Sequence, residues 1–252
     1  MVSMITDDKR VMTQPDIPHA EPKMGKVAVI YTTPETVIDD YARLLDLADY
    51  QTALTPNIKT FLKVNISWQH YYPACSSAPW QIDGVAQKLQ ADGFDKLTAA
   101  HNGTVVVNAD EGREKNKHGV VEDRLGLKHV VLDVPPMKWI PYKPTAKMLV
   151  LDDIYKDGLY IPEVFPGTNI VQLPTVKTHV FTTMTGAMKN AFGGLLHRYR
   201  HWTHAVIHET LVDLLQIQNC LLHTPDAADD PLRVGPGARR VTTKKIVSHL
   251  YV

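Results

Sequence analysis

The sequence predicts an α/β fold: a mostly parallel sheet flanked by helices in a single main domain. Two observations carry that expectation. Short apolar runs rich in β-branched residues alternate with longer stretches of helical period, the rhythm of parallel strands joined by right-handed crossovers. At 252 residues, 44% hydrophobic and 21% charged, the chain can bury one large core. Its 27 basic and 27 acidic residues cancel. That removes any global electrostatic case for nucleic acid or an anionic membrane, and neither partner is expected.

Residues 1–25 are polar, contain prolines and lack periodicity, so a loose N-terminal arm is expected. They hold no apolar core of a secretory signal, and no window approaches 18 apolar residues, so the expected location is the cytoplasm. The α/β domain is expected over 26–218. Lys26–Tyr31 reads as a first strand. Pro34-Glu35 opens a helix, and Val37, Tyr41, Leu44, Leu45 and Ala48 give its period. Thr60–Asn65 is the next strand, Trp80–Ala91 a helix closed by Asp92-Gly93, and Lys96–Ala100 a strand running into His101-Asn102-Gly103. The charged run 108–128 reads as a solvated loop or helix face. His129–Asp133 is a strand, followed by a proline-rich connector. Met148–Leu151 and Gly158–Ile161 are expected as short strands of a hairpin, and Thr168–Leu173 as a buried strand stopped by Pro174. Thr185 to about His197 and His204–Gln218 carry helical spacing. The segment 219–252 lacks an apolar face until Ile246 and reads as a divergent or truncated tail.

The functional signal is concentrated between Leu173 and His208. That stretch holds five of the twelve histidines, together with Lys177, Lys189, Arg198 and Arg200, and no carboxylate. Such a run of donors and imidazoles suits the wall of a site that receives an anion or a metal-bound ligand. Lys177-Thr178-His179 follows a strand and a proline, which places it at the carboxyl edge where open α/β sheets bind ligands. The alternative is a solvated turn. Thr185 to Asn190 feeds a helix N-terminus, a position that attracts anions, but it is neither a Walker A motif nor G-x-G-x-x-G. Gly193-Gly194 either breaks that helix or lets something approach closely.

His197, His201, His204 and His208 fall on one face of an ideal helix, and His197, His201 and His204 are the metal candidates. No H-E-x-x-H pattern is present, and Arg198 and Arg200 oppose a cation. His179 and His204 are therefore also the acid–base candidates. Lys63, Asn65, His101 and Asn102 sit at strand ends and are expected to converge with Lys177; Asp152-Asp153, which could hold Mg²⁺, reads more simply as a turn. The two cysteines, Cys75 and Cys220, form no CxxC motif, so no iron–sulfur cluster is expected within this chain and the cofactor stays open.

LPTVKTH, TGAMKNAFGG and RYRHWTH together resemble the core of the domain-of-unknown-function 362 family, with its P-x-x-K-T-H, A-x-K-N-x-x-G and R-H…H elements. Lys63-Val64-Asn65 resembles that family's K-P-N strand end, with Val64 in place of proline. The helix stretch SSAPWQIDGVAQKLQADGF fits as well, and the resemblance spans roughly 58 to 218. It implies an α/β domain without a settled activity. Some relatives are joined to ferredoxin-like cluster modules, whose cysteines this chain lacks. The family's usual glycine-rich and Asp-containing C-terminal elements are reduced here to GPGARR, the expected sign of a shortened or altered C-terminus.

The residues thus point to an enzyme or degenerate enzyme acting on a small anionic metabolite or cofactor. Lys63, Asn65, Lys177, Thr178, Lys189, Asn190 and Arg200 would bind the ligand, and His179 and His204 would move protons. The alternative is a non-catalytic metal- or ligand-binding accessory protein using the His197–His208 cluster. Oligomeric state, substrate and reaction are left open by the residues.

Overall fold

The computed structural model describes residues 28–104, 107–144, 147–196 and 199–221. In chain order its elements are α1 (Val37–Leu47), β1 (Thr60–Val64), α2 (Pro79–Ala91), β2 (Leu97–His101), α3 (Ala109–Lys115), α4 (His118–Arg124), β3 (Lys128–Val131), β4 (Trp139–Tyr142), α5 (Leu151–Ile154), β5 (Leu159–Pro162), β6 (Asn169–Leu173), β7 (Thr178–His179), β8 (Thr183–Met184), α6 (Ala187–Leu195) and α7 (Ile207–Leu221). Tyr50–Thr52 and Arg200–Val206 are 3₁₀ turns.

Four strands make one parallel sheet in the order β3-β2-β1-β6. β1 and β6 are buried at every position, as strands covered on both faces must be. Alternation along β1 sorts the two layers. Leu62 and Val64 face α1, α2 and α4, in a core with Leu44, Ile82, Leu89 and Leu173. Phe61 faces the other side, toward Phe165, Phe192, Leu195 and Leu214. Helix α2 starts cleanly because Pro79 occupies its first turn. Asn108 caps α3 by accepting the Glu111 amide at 2.9 Å. The parallel sheet and its flanking helices are the α/β architecture expected from the strand–helix rhythm.

The chain moves outward from β1 to β2 to β3 and then returns to the far side of β1 as β6. Strand order therefore reverses between β1 and β6. At such a reversal the connections leave in opposite directions and open a crevice beyond the carboxyl ends of the strands.

Several local expectations are corrected. Met148–Leu151 is not a strand. The Asp213 carboxylate accepts the amides of Leu149, Val150 and Leu151 at 2.8, 3.0 and 3.1 Å, and this capture turns the chain into α5. β5 consequently pairs with β4 instead, antiparallel, with Ile161 opposite Ile140. The charged run 108–128 folds into α3 and α4, which bury Arg113, His118 and Glu122. Of the first expected strand, Ile30 is buried and Tyr31 makes a single bridge; residues 26 and 27 lie outside the described ones. The helix expected from His204 begins as a 3₁₀ turn and becomes α-helical only at Ile207. The arm at 1–25 and the tail beyond Leu221 also lie outside the described residues. No helix among the described residues is long and apolar enough to cross a membrane.

Candidate functional site at the carboxyl edge of the sheet

All four strands of the sheet end on one cavity of about 760 Å³. Asn65, Ile66 and Ser67 reach it after β1, Asn102 and Thr104 after β2, Asp133 after β3, and Thr175 and Lys177 after β6. The facing wall comes from His179 and Phe181 of the β7–β8 hairpin, Lys189 and Asn190 of α6, and Arg200, His201 and His204 of the 3₁₀ turn. Of the site residues expected from sequence, the fold brings nine to this one cavity: Asn65, Asn102, Lys177, His179, Lys189, Asn190, Arg200, His201 and His204; His101, expected at the same edge, is buried against Glu122 instead.

Several of these side chains are held by specific partners. The Lys177 ammonium donates to Asn65 Oδ1 at 2.8 Å and to the Cys75 carbonyl at 2.7 Å. The Thr185 hydroxyl accepts the Lys177 amide at 3.1 Å and donates to the Thr175 carbonyl at 2.6 Å, closing the turn after β6. Asn190 spends both amide hydrogens on the framework, donating to the Lys63 carbonyl at 2.7 Å and to Gln172 Oε1 at 2.9 Å. It fastens α6 across the ends of β1 and β6. Arg200 donates to the Gly103 carbonyl at 2.7 Å, with Asp133 at 3.4 Å. The Lys189 ammonium lies 4.5 Å from the centre of the Phe192 ring. No ion pair holds it among the described residues.

Asp133 is the only carboxylate among the described residues lining the cavity, against three cations. Burial, with the charges of Arg200 and Lys177, pulls Lys189 down to about 8. Burial also lowers Lys177 and, with Lys189, Lys177 and His204, lowers His179.

Lys63 lies beneath the wall rather than on it. It is buried, and its ammonium donates to the Val64 carbonyl at 2.8 Å. Burial and the Arg200 charge drop it to about 7. The Gly193-Gly194 pair makes this packing possible. Helical geometry fails at both residues, and Gly194 sits at φ +96°. A Cβ on Gly193 would stand 2.7 Å from Asn102, and one on Gly194 would collide with Leu132 and come within 3.3 Å of the Lys63 chain. The glycines therefore both interrupt the helix and permit close approach.

Thr178 is exposed on the β7–β8 hairpin and does not line the cavity. His197 lies outside the described residues. Arg200–Val206 winds as 3₁₀ rather than as an α-helix, a pitch that stacks residues three apart, so His201 and His204 share a face there and both line the cavity. Asp152 and Asp153 stand in the first turn of α5, away from the cavity.

Sequence reasoning passed over Asp133, which closes the β3 connection; the strand-end rule applied to Asn65 would have found it. It also passed over a second constellation. One ring nitrogen each of His101 and His118 and one oxygen of Glu122 lie within 4.8 Å of one another, all buried, and this group could hold a metal ion. Its signal was the His118-x-x-x-Glu122 spacing inside a run read as solvated.

Residues 60–246 match the family described as Domain of unknown function (DUF362). The chain belongs to that family. The DUF362 match takes in every strand of the sheet and every described residue lining the cavity. No curated protein and no solved structure matches the chain.

Proposed function

We propose that the cavity binds a small anionic metabolite or cofactor, and that the chain is an enzyme, or a degenerate one, built around that ligand. The observation that carries this reading is the charge imbalance of the wall: Lys177, Lys189 and Arg200 face a space with one lining carboxylate, Asp133, among the described residues. Partly buried cations crowded together repel one another, and an anion relieves both the repulsion and the lost solvation. Lys189 is the group with most to gain, since a phosphate or carboxylate would supply the partner it lacks. Arg200 adds a planar donor suited to either anion.

Two of the three cavity histidines, His179 and His204, differ in their available atoms. His204 Nδ1 lies 2.9 Å from the His201 carbonyl, which can only accept, so Nδ1 carries the proton and Nε2 carries a lone pair. His179 Nδ1 accepts the Phe181 amide at 3.1 Å, so the neutral ring keeps its proton on Nε2. His204 Nε2 is then the proton acceptor of the pair and His179 Nε2–H the donor. That division suits proton transfer next to a bound anion. The location is expected to be cytoplasmic, with no nucleic-acid partner.

Calorimetric titration tests the reading, using inorganic phosphate and a dicarboxylate as probes. Binding should weaken roughly 10–100-fold in Lys189→Met and in Lys177→Met, the scale of one charge-assisted hydrogen bond. Affinity should also fall as pH rises through about 8, where Lys189 loses its proton. Wild type and both variants binding either probe equally would sink the proposal.

A further inference from the structure

The buried constellation on the opposite face of the sheet carries a second site. His101 ends β2, and His118 and Glu122 lie one turn apart on α4. His118 Nε2 is 2.7 Å from the Ser77 carbonyl. A carbonyl only accepts, so Nε2 holds the proton and Nδ1 presents a lone pair. His101 Nε2 is 2.9 Å from Glu122 Oε1. Arg113 Nε donates to the other oxygen of Glu122 at 2.6 Å, an ion pair that keeps Glu122 a carboxylate. A carboxylate also only accepts, so His101 likewise keeps its proton on Nε2 and a lone pair on Nδ1. Both Nδ1 atoms are buried and have no hydrogen-bond partner. Two orphaned lone pairs on rings 6.0 Å apart are an expensive arrangement for a core, because each buried acceptor has lost water without gaining a donor.

Metal-binding imidazoles are oriented in this way: one nitrogen donates to a carboxylate or backbone carbonyl while the other is left for the ion. We propose that His101 and His118 bind a divalent transition-metal ion of the zinc class, with Glu122 orienting His101 and supplying charge. Imidazole donors select zinc-like ions over calcium or magnesium. Arg113 does not forbid a cation here. It contacts three carboxylates, Glu114, Glu122 and Asp123, so the cluster carries more negative than positive charge. The site would also brace the anion cavity. Ser77, whose carbonyl holds His118, accepts the Asn65 amide on its hydroxyl at 2.8 Å, and Asn65 in turn holds Lys177.

The test uses the full chain, unfolded in chelator and refolded with Co²⁺ as the spectroscopic probe. Wild type should keep one equivalent of Co²⁺ through gel filtration and show visible ligand-field bands. His118→Ala should lose both. Glu122→Gln, close in shape to the native side chain, should weaken binding 10–100-fold, and His201→Ala should bind as wild type does. If His118→Ala does not refold, Glu122→Gln decides. Wild type without stoichiometric Co²⁺, unchanged binding in Glu122→Gln, or loss of binding in His201→Ala overturns the proposal.

Discussion

Lys63 concentrates the tension of this molecule in one side chain. It sits on a central strand, buried, where burial and neighbouring charge move it from the ordinary 10.5 to about 7. Between those two values the unfolded chain holds a proton that the folded chain does not. Stability should therefore rise with pH across that window, with a Lys63 contribution of up to about 1.4 kcal/mol per pH unit. Below about pH 7 the penalty is fully present. Lys63→Met removes it, so the variant should gain on wild type near pH 6 and lose that advantage near pH 10. Urea unfolding across this range checks the difference; parallel curves for the two proteins would contradict it. Sequence reading placed Lys63 at a strand end among ligand-binding residues. It could not see that strand alternation turns the side chain down under α6, because the direction depends on which layer packs on which face.

At the scale of elements, short segments take the structure that satisfies their amides. Met148–Leu151 looks like a strand by composition, yet Asp213 of α7 collects three of its backbone N–H groups. That partner is more than sixty residues away, so no local pattern announces it. Asp213→Ala should cost about 2–4 kcal/mol, because amides ordered for the carboxylate lose their acceptor. Asp213→Asn, which keeps one carbonyl oxygen, should cost less. Equal stability of wild type and Asp213→Ala in urea unfolding would refute this account of α5. Strands β1, β2 and β6 were legible from their short apolar and β-branched stretches, although each also buries polar residues such as Lys63, His101 and Gln172. The helices of the charged run were not. Arg113, His118 and Glu122 look solvated one by one and are buried only because they satisfy one another and His101.

At the scale of the whole molecule, the reversal of strand order between β1 and β6 organises everything else. It gathers polar residues from four strand ends, spread from Asn65 to Lys177, onto one cavity. The strand-end rule brought Asn65, Asn102 and Lys177 to this edge from the sequence; it also sent Lys63 and His101 there, which are buried instead, and it missed Asp133. His201 and His204 were read at α-helical pitch; their segment winds as 3₁₀, whose three-residue turn still brings both to the cavity. The two faces of the sheet then have separate proposed tasks: the cation-lined cavity at its edge, and the imidazole pair behind β2 that braces one side of it.

The central claim is that an anion occupies the space between Lys177, Lys189 and Arg200. Anomalous diffraction at the selenium edge, from crystals grown with selenate, tests it most directly. The account predicts a selenate peak within hydrogen-bonding reach of the Lys189 ammonium and the Arg200 guanidinium, absent in crystals of Lys189→Met. A cavity without selenate, in crystals where the anion binds elsewhere on the protein, would contradict it.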